Sequence, residues 1–152
     1  MIADVTYQTA TWGNLPNRLE AGTPHIAGAI GLGAAVEWFS GLDLAAVQAH
    51  EKSLIDAAMK QAQDIEGMRL IGTAANKVGI LSFVMDNAHP ADVGFILDRQ
   101  GVAIRTGDNC AQPLMNRLGI NGTARASFSL YNTLDEVDAF FVALRKAQSM
   151  LA

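Results

Sequence analysis

Cysteine is almost absent from this sequence. Cys110 is the only cysteine among 152 residues, so no disulfide can form within the chain, and we predict that it works in the reducing cytoplasm. The three histidines, His25, His50 and His89, are scattered and share no metal-ligand spacing. The sequence therefore predicts no metal site.

Charged residues and long apolar runs are also scarce. Charged residues make up 17% of the chain, and the net charge is −4 at pH 7, which gives no electrostatic basis for binding nucleic acid or an anionic membrane. The longest apolar run, residues 26–39, contains three glycines and a glutamate and is too short to span a bilayer. The N-terminus lacks the basic and apolar regions of a signal peptide. Half of the residues are hydrophobic, which predicts one folded core.

The sequence does contain an unusual stretch at residues 105–114, Arg-Thr-Gly-Asp-Asn-Cys-Ala-Gln-Pro-Leu. Asp108 and Asn109 are turn-forming residue types, so they predict that Cys110 lies on an exposed loop. A lone intracellular cysteine is more often a small buried hydrophobe, whereas an exposed one is a candidate nucleophile. On composition and spacing alone, both interpretations stay open.

Positive charge near the thiol favours the nucleophile. The reactive species is the thiolate, which a nearby guanidinium or a helix N-terminus stabilises. Arg105 lies five residues before Cys110, Arg125 lies fifteen residues after it, and a helix can begin at Ala111. Arg125 could instead form a surface salt bridge, and Arg105 could be structural.

Hydrophobic periodicity predicts an α+β domain in which about four strands are covered by about four helices. In the segment 123–131, apolar residues alternate with polar ones, which places Arg125 on the face away from the core. Asp43 and the Thr133–Glu136 capping box predict two helix starts. The predicted strands are 68–72, 78–85, 102–106 and 123–131, and the predicted helices are 25–40 (buried, with Thr23 as N-cap), 44–65, 91–99, 111–118 and one starting at Thr133.

Several motifs occur together in one order. They are Glu20-Ala-Gly-Thr-Pro24, Arg105-Thr-Gly-x-x-Cys110-Ala-Gln-Pro-Leu, Gly122-Thr-Ala-Arg125-Ala-Ser and Tyr131-Asn-Thr133. In this combination the chain resembles the C-terminal part of the cysteine desulfurase/selenocysteine lyase family of pyridoxal-phosphate (PLP) enzymes, which are related to class-V aminotransferases. The resemblance implies the small C-terminal domain of a fold-type I PLP-dependent transferase, with residues 25–152 forming that domain. Residues 1–24 would belong to the large PLP domain or to a linker.

The resemblance also implies roles for individual residues. Cys110 would be the catalytic nucleophile that takes sulfur from L-cysteine as a persulfide and leaves L-alanine. Arg125 would bind the substrate carboxylate, and Arg105 would support the loop and its charge. Thr23 would contact the PLP phosphate of the other subunit in a homodimer. Family members often carry histidine immediately before the cysteine, whereas this chain has Asp108 and Asn109.

The family's Schiff-base lysine has no counterpart in this sequence. We therefore expect the N-terminal PLP domain to be absent and the chain to be inactive alone. By the same resemblance, the full-length enzyme would deliver sulfur to an acceptor protein, for iron–sulfur cluster assembly or another use. Two alternatives remain open: a selenocysteine lyase, and a stand-alone persulfide-carrier or binding module.

Overall fold

The computed structural model describes residues 1–151, and the chain divides after Leu42 into two compact units. We call Met1–Leu42 the N-terminal unit and the chain from Asp43 onward the C-terminal unit. In the N-terminal unit, two short antiparallel strands are followed by one turn of 3-10 helix and a long helix. These elements are β1 (Ile2–Val5), β2 (Ala10–Trp12), the 3-10 turn (Asn17–Leu19) and α1 (Ile26–Ser40).

Helix α1 has the predicted extent, but the prediction that it is buried was wrong. None of its residues is buried, and Trp38 is 62% exposed. The space beside Gly31 and Gly33 is open, so no neighbouring element requires glycine at these two positions. No single helix in residues 1–151 is long and apolar enough to cross a bilayer, and only α1 and the following helix, α2 (Leu44–Ala62), taken together reach that length.

Of the three predicted helix N-caps, one is wrong and two are confirmed. His25, not Thr23, is the N-cap of α1, and no side chain accepts a hydrogen bond there. By contrast, Asp43 Oδ1 accepts hydrogen bonds from the first amides of α2 at 3.0 and 3.1 Å. The predicted capping box is also present, because Thr133 Oγ1 accepts from the Glu136 amide at 3.2 Å and Glu136 Oε2 accepts from the Thr133 amide at 2.9 Å.

The C-terminal unit is an α+β domain with one four-stranded antiparallel sheet in the order β3-β4-β6-β5. This confirms the predicted fold class. Strand β5 begins later than predicted, at Arg105, and β6 ends earlier than predicted, at Ser127. The hydrogen-bonded pairing with the neighbouring strands does not extend beyond these two residues. The elements are α2 (Leu44–Ala62), β3 (Met68–Ile71), β4 (Ile80–Met85), α3 (Pro90–Asp98), β5 (Arg105–Gly107), α4 (Gln112–Leu118), β6 (Thr123–Ser127) and α5 (Leu134–Leu151).

One face of this sheet forms the hydrophobic core with α2, α3 and α5. Phe140 on α5 packs edge-to-face against Phe83 on β4 and against Phe128, with ring centroids 6.2 and 6.0 Å apart. Burying each such side chain contributes about 1.5–3 kcal/mol, so this face stabilises the unit. The other core residues include Leu54, Ile55, Ala58, Leu81, Val93, Leu97, Ala124, Ala126, Val137, Phe141 and Leu144.

The opposite face of the sheet carries a row of side chains that includes both arginines. Register pairs Ile71 with Ser82, Ser82 with Arg125, and Arg125 with Arg105. Directly opposed residues in antiparallel strands share a face, so these four side chains cross the sheet side by side. Arg125 therefore lies away from the core, as the sequence alternation predicts.

Candidate functional site

Cys110 lies on the turn that joins β5 to α4, and its side chain is exposed and unpaired. This confirms the predicted exposed loop and excludes the buried-hydrophobe interpretation. The Cys110 amide donates to Asp108 Oδ1 at 3.0 Å, and the Ala111 amide donates to the Asp108 carbonyl at 2.9 Å. Asp108 thus shapes the turn by using both its side chain and its backbone.

The backbone of this turn is left-handed at two consecutive non-glycine residues. Asn109 has φ = 52° and Cys110 has φ = 59°. Asparagine adopts this region readily, whereas cysteine does so rarely. Such conformations cost about 1–3 kcal/mol and persist where the surrounding structure imposes them. The thiol is therefore presented by a backbone conformation that its neighbours must hold in place.

Two glycines hold the base of the turn. Gly107, with φ = 115°, ends β5, and Gly122, with φ = 110°, precedes β6. A Cβ at Gly122 would lie 2.9 Å from the backbone carbon and oxygen of Gly107. Only glycine permits both the close approach and the conformation, so this contact fixes where the turn leaves the sheet.

Arg125 lies beside the turn, and its side chain has no hydrogen-bond or salt-bridge partner within residues 1–151. Its Nε is buried and has no hydrogen-bond partner, and the single salt bridge in residues 1–151 joins Lys52 to Asp56. Hence Arg125 does not form the surface ion pair considered as an alternative. A buried guanidinium nitrogen with no acceptor is suited to an anionic ligand, and the neighbouring Arg105 adds a second positive charge.

A cavity of about 490 Å³ lies between α4 and this face of the sheet. Its polar lining includes Arg125, Thr123, Asp108 and Asn109, and its apolar wall comprises Ile71, Leu114, Met115 and Leu118. Ala111 also lines it, so both chain neighbours of Cys110 face the cavity. The arrangement suits a small molecule that carries a carboxylate.

Comparison with known proteins gives the family. Residues 1–140 match the family Aminotransferase class-V. The chain belongs to this family. This class-V aminotransferase chain is 42% identical over 151 residues to a probable cysteine desulfurase of Vibrio cholerae, covering 99% of this chain and 37% of that protein. It is also 42% identical over 146 residues to probable cysteine desulfurase 1 of Mycobacterium leprae, covering 96% of this chain and 24% of that protein.

Solved structures agree with the class-V aminotransferase assignment. The cysteine desulfurase CsdA (S-sulfonic acid) of Escherichia coli superposes with a TM-score of 0.90 at 36% identity, over 100% of this chain and 38% of that one. The apo cysteine desulfurase of Thermococcus onnurineus gives 0.85 at 36% identity, over 97% of this chain and 38% of that one. The chain therefore corresponds to the C-terminal quarter to third of cysteine desulfurases and spans well under half of their length.

The cavity lacks the residue type that binds PLP covalently. Enzymes that use PLP hold it through a Schiff base to a lysine amine, and no lysine lines this cavity. Lys77 donates to the Gly72 carbonyl at 2.7 Å, and Lys52 is paired with Asp56. The other two lysines, Lys60 and Lys146, are exposed on helices. In residues 1–151, then, the residues of this class-V aminotransferase chain do not by themselves form a PLP site.

The structure brings together three of the four predicted site residues. Cys110, Arg105 and Arg125 lie on adjacent elements of the C-terminal unit, whereas Thr23 is an exposed residue of the N-terminal unit. The sequence prediction missed Thr123, which is 3% exposed and lines the cavity. The available signal was the Thr123 hydroxyl at the start of a strand. Its contact with Asn109 on the turn could not be predicted, because the two residues are distant in sequence.

Proposed function

We propose that this chain is the C-terminal portion of a PLP-dependent cysteine desulfurase. The observation that carries the proposal is the exposed Cys110 on a turn beside a cavity that contains the unpartnered Arg125. The 42% identity to a probable cysteine desulfurase over 99% of the chain supports it. The remaining part of the enzyme, with the Schiff-base lysine, would come from residues outside this chain.

In this proposal the Cys110 thiolate receives the sulfur atom of L-cysteine. A sulfur–sulfur bond forms, the carbon–sulfur bond of the substrate breaks, and its electron pair stays on the carbon, which takes up a proton. The products are the Cys110 persulfide and L-alanine. The Cys110 sulfur and the transferred sulfur each give up one electron, and the substrate carbon gains both, so no external oxidant is required. The persulfide would then pass to a sulfur-acceptor protein, as in iron–sulfur cluster assembly.

Arg125 would bind the substrate carboxylate. Its position opposite Ser82 and Arg105, off the core face, leaves the guanidinium available to a ligand in the cavity. A bidentate arginine–carboxylate pair fixes orientation as well as adding affinity. Arg105 would add positive charge beside it and support the turn. Selenocysteine would use the same residues, so a selenocysteine lyase is the related alternative.

Thr23 would contact the PLP phosphate of the partner subunit in a homodimer. It is exposed, lies between Gly22 and Pro24, and does not cap α1. Its hydroxyl therefore makes no capping hydrogen bond at the start of α1. Without the lysine that holds PLP, we propose that the chain is inactive alone.

A chimera tests the proposal. This chain would replace the matching region of the Vibrio cholerae protein, and alanine release from L-cysteine would be measured together with intact mass after alkylation. We expect alanine formation and a persulfide on Cys110, both lost in the Cys110→Ser chimera. A folded, PLP-loaded chimera that forms alanine equally well with serine at this position would contradict the role of Cys110.

The isolated chain provides the complementary measurement. Incubated with PLP and L-cysteine and then trapped with borohydride and an alkylating agent, it should show neither a reduced PLP adduct nor a persulfide. A persulfide that depends on PLP and L-cysteine would contradict inactivity alone. A persulfide that appears only when a separate desulfurase is supplied would favour the persulfide-carrier alternative.

A further inference from the structure

Asn109 links the turn that carries Cys110 to the strand that carries Arg125. Its side-chain Nδ2 donates to the Gly107 carbonyl at 3.1 Å and to Thr123 Oγ1 at 3.3 Å. A backbone carbonyl can only accept, so the amide nitrogen must be the atom that faces it. Thr123 is buried and lies two residues before Arg125 on β6.

We propose that Asn109 is a positioning residue for Cys110: its bond to Thr123 holds the thiol beside the arginine-lined cavity. The inference rests on the proposed function, in which the thiol must meet a substrate whose carboxylate is bound by Arg125. Asn109 and Ala111 line the same cavity as Arg125. Movement of the turn away from Thr123 would therefore separate the sulfur from the bound substrate.

Asparagine meets both requirements of this position. It tolerates the left-handed backbone that the turn needs at φ = 52°, and its amide supplies two donors. Aspartate tolerates the same backbone but, when ionised, has no donor for the Gly107 carbonyl or the Thr123 hydroxyl. Glycine accepts the backbone but has no side chain. A glycine substitution at this position therefore removes the side-chain hydrogen bonds and keeps the left-handed backbone.

The test compares two alkylating agents on the 152-residue chain. Iodoacetate carries a carboxylate, as the substrate does, whereas iodoacetamide is neutral. Because Cys110 is the only cysteine, each rate reports on this thiol alone. A thiol held beside guanidinium charge reacts faster with the anion relative to the neutral reagent, so the rate ratio measures its placement. A change in overall stability that leaves the turn in place does not alter that ratio.

We expect Asn109→Gly to lower the ratio by about threefold at low salt, and Thr123→Val, which removes the acceptor, to lower it to the same extent. The matched control is Asn87→Gly, because Asn87 is also left-handed, with φ = 58°, and lies on a different turn. It should leave the ratio unchanged. The double variant should match Asn109→Gly, because the bond between Asn109 and Thr123 is already absent in that single variant.

An unchanged ratio in folded Asn109→Gly would overturn the proposal, as would a drop of equal size in Asn87→Gly. Arg125→Gln is measured in parallel and should also lower the ratio, because it removes the positive charge of the cavity. An unchanged ratio in folded Arg125→Gln would likewise overturn the proposal, since the ratio would then not report placement of the thiol beside Arg125. Since no step of this test requires turnover or PLP, its failure is distinguishable from failure of the desulfurase proposal, which depends on the persulfide in the chimera.

Discussion

The two units differ in what they bury, although both are rich in apolar residues. Every buried residue of the described chain lies in the C-terminal unit, and the N-terminal unit has none. Helix α1 is more apolar than α5, yet α5 supplies six core residues and α1 supplies none. Apolar composition thus creates a core only where a second element faces it.

The largest expected effect is the difference between two aromatic truncations. Phe141 is fully buried, and Phe141→Ala should lower the free energy of unfolding by about 3–5 kcal/mol because it leaves a cavity. Trp38 on α1 is 62% exposed, and Trp38→Ala should change it by no more than about 0.5 kcal/mol. Urea denaturation monitored by circular dichroism measures both. Equal losses would show that α1 is buried in solution and would end the contrast between the units.

Glycine-to-alanine substitutions should have opposite signs in the two units. Gly122→Ala should destabilise the chain by about 1–3 kcal/mol, because φ is 110° and the new methyl group would press on the Gly107 backbone. Gly33→Ala should stabilise α1 by about 1 kcal/mol, since the space beside Gly33 is open and alanine is the better helix former. Thermal unfolding and helix content provide the readouts. A loss of helix content in Gly33→Ala would show that another element lies against that face.

The features that the sequence predicted correctly depend on residues close together in the chain. The alternation in 123–131 placed Arg125 off the core face, and the Thr133 capping box begins α5 as expected. The turn-forming residues before Cys110 predicted its exposure. In each case neighbouring residues suffice, because strand alternation and helix capping act within a few positions of the chain.

What the sequence could not give depends on residues far apart in the chain. The start of β5 is set by its pairing with β6, and the end of β6 is set by its pairing with β4. The bond from Asn109 to Thr123 likewise joins residues fourteen positions apart. The prediction that α1 is buried was wrong for the same reason. A helix that is apolar all round is usually buried, but the sequence of the helix does not contain the surface that would cover it.

Helix caps provide a smaller contrast. Thr133→Ala should lower the free energy of unfolding by about 1 kcal/mol, because it removes the acceptor for the Glu136 amide. His25→Ala should have no comparable effect, since the His25 side chain accepts no hydrogen bond at the start of α1. Paired urea titrations compare them. If His25→Ala cost as much as Thr133→Ala, the imidazole would have a stabilising contact beyond capping.

The smallest expected effect is a pH dependence confined to the start of α5. Hydrogen bonds from the Asn132 side chain and the Thr133 amide lower the pKa of Glu136 below its ordinary value. A lowered pKa in the folded state means that the folded chain favours the charged carboxylate. Its contribution to stability is therefore present above the unfolded-state pKa and is lost as the pH falls through the folded-state pKa.

Glu136→Gln isolates this contribution, because glutamine keeps an oxygen that can accept from the Thr133 amide but carries no charge. We expect wild type to have the higher melting temperature at neutral pH and the difference to vanish as the pH falls below the folded-state pKa of Glu136. Asp135→Asn is the matched control, since Asp135 lies in the same first turn and shares the favourable helix-dipole interaction. If the two variants lose the same stability with the same pH dependence, the helix dipole alone accounts for the effect. A loss specific to Glu136→Gln at neutral pH instead assigns it to the negative charge of Glu136, which strengthens the hydrogen bonds that its carboxylate accepts.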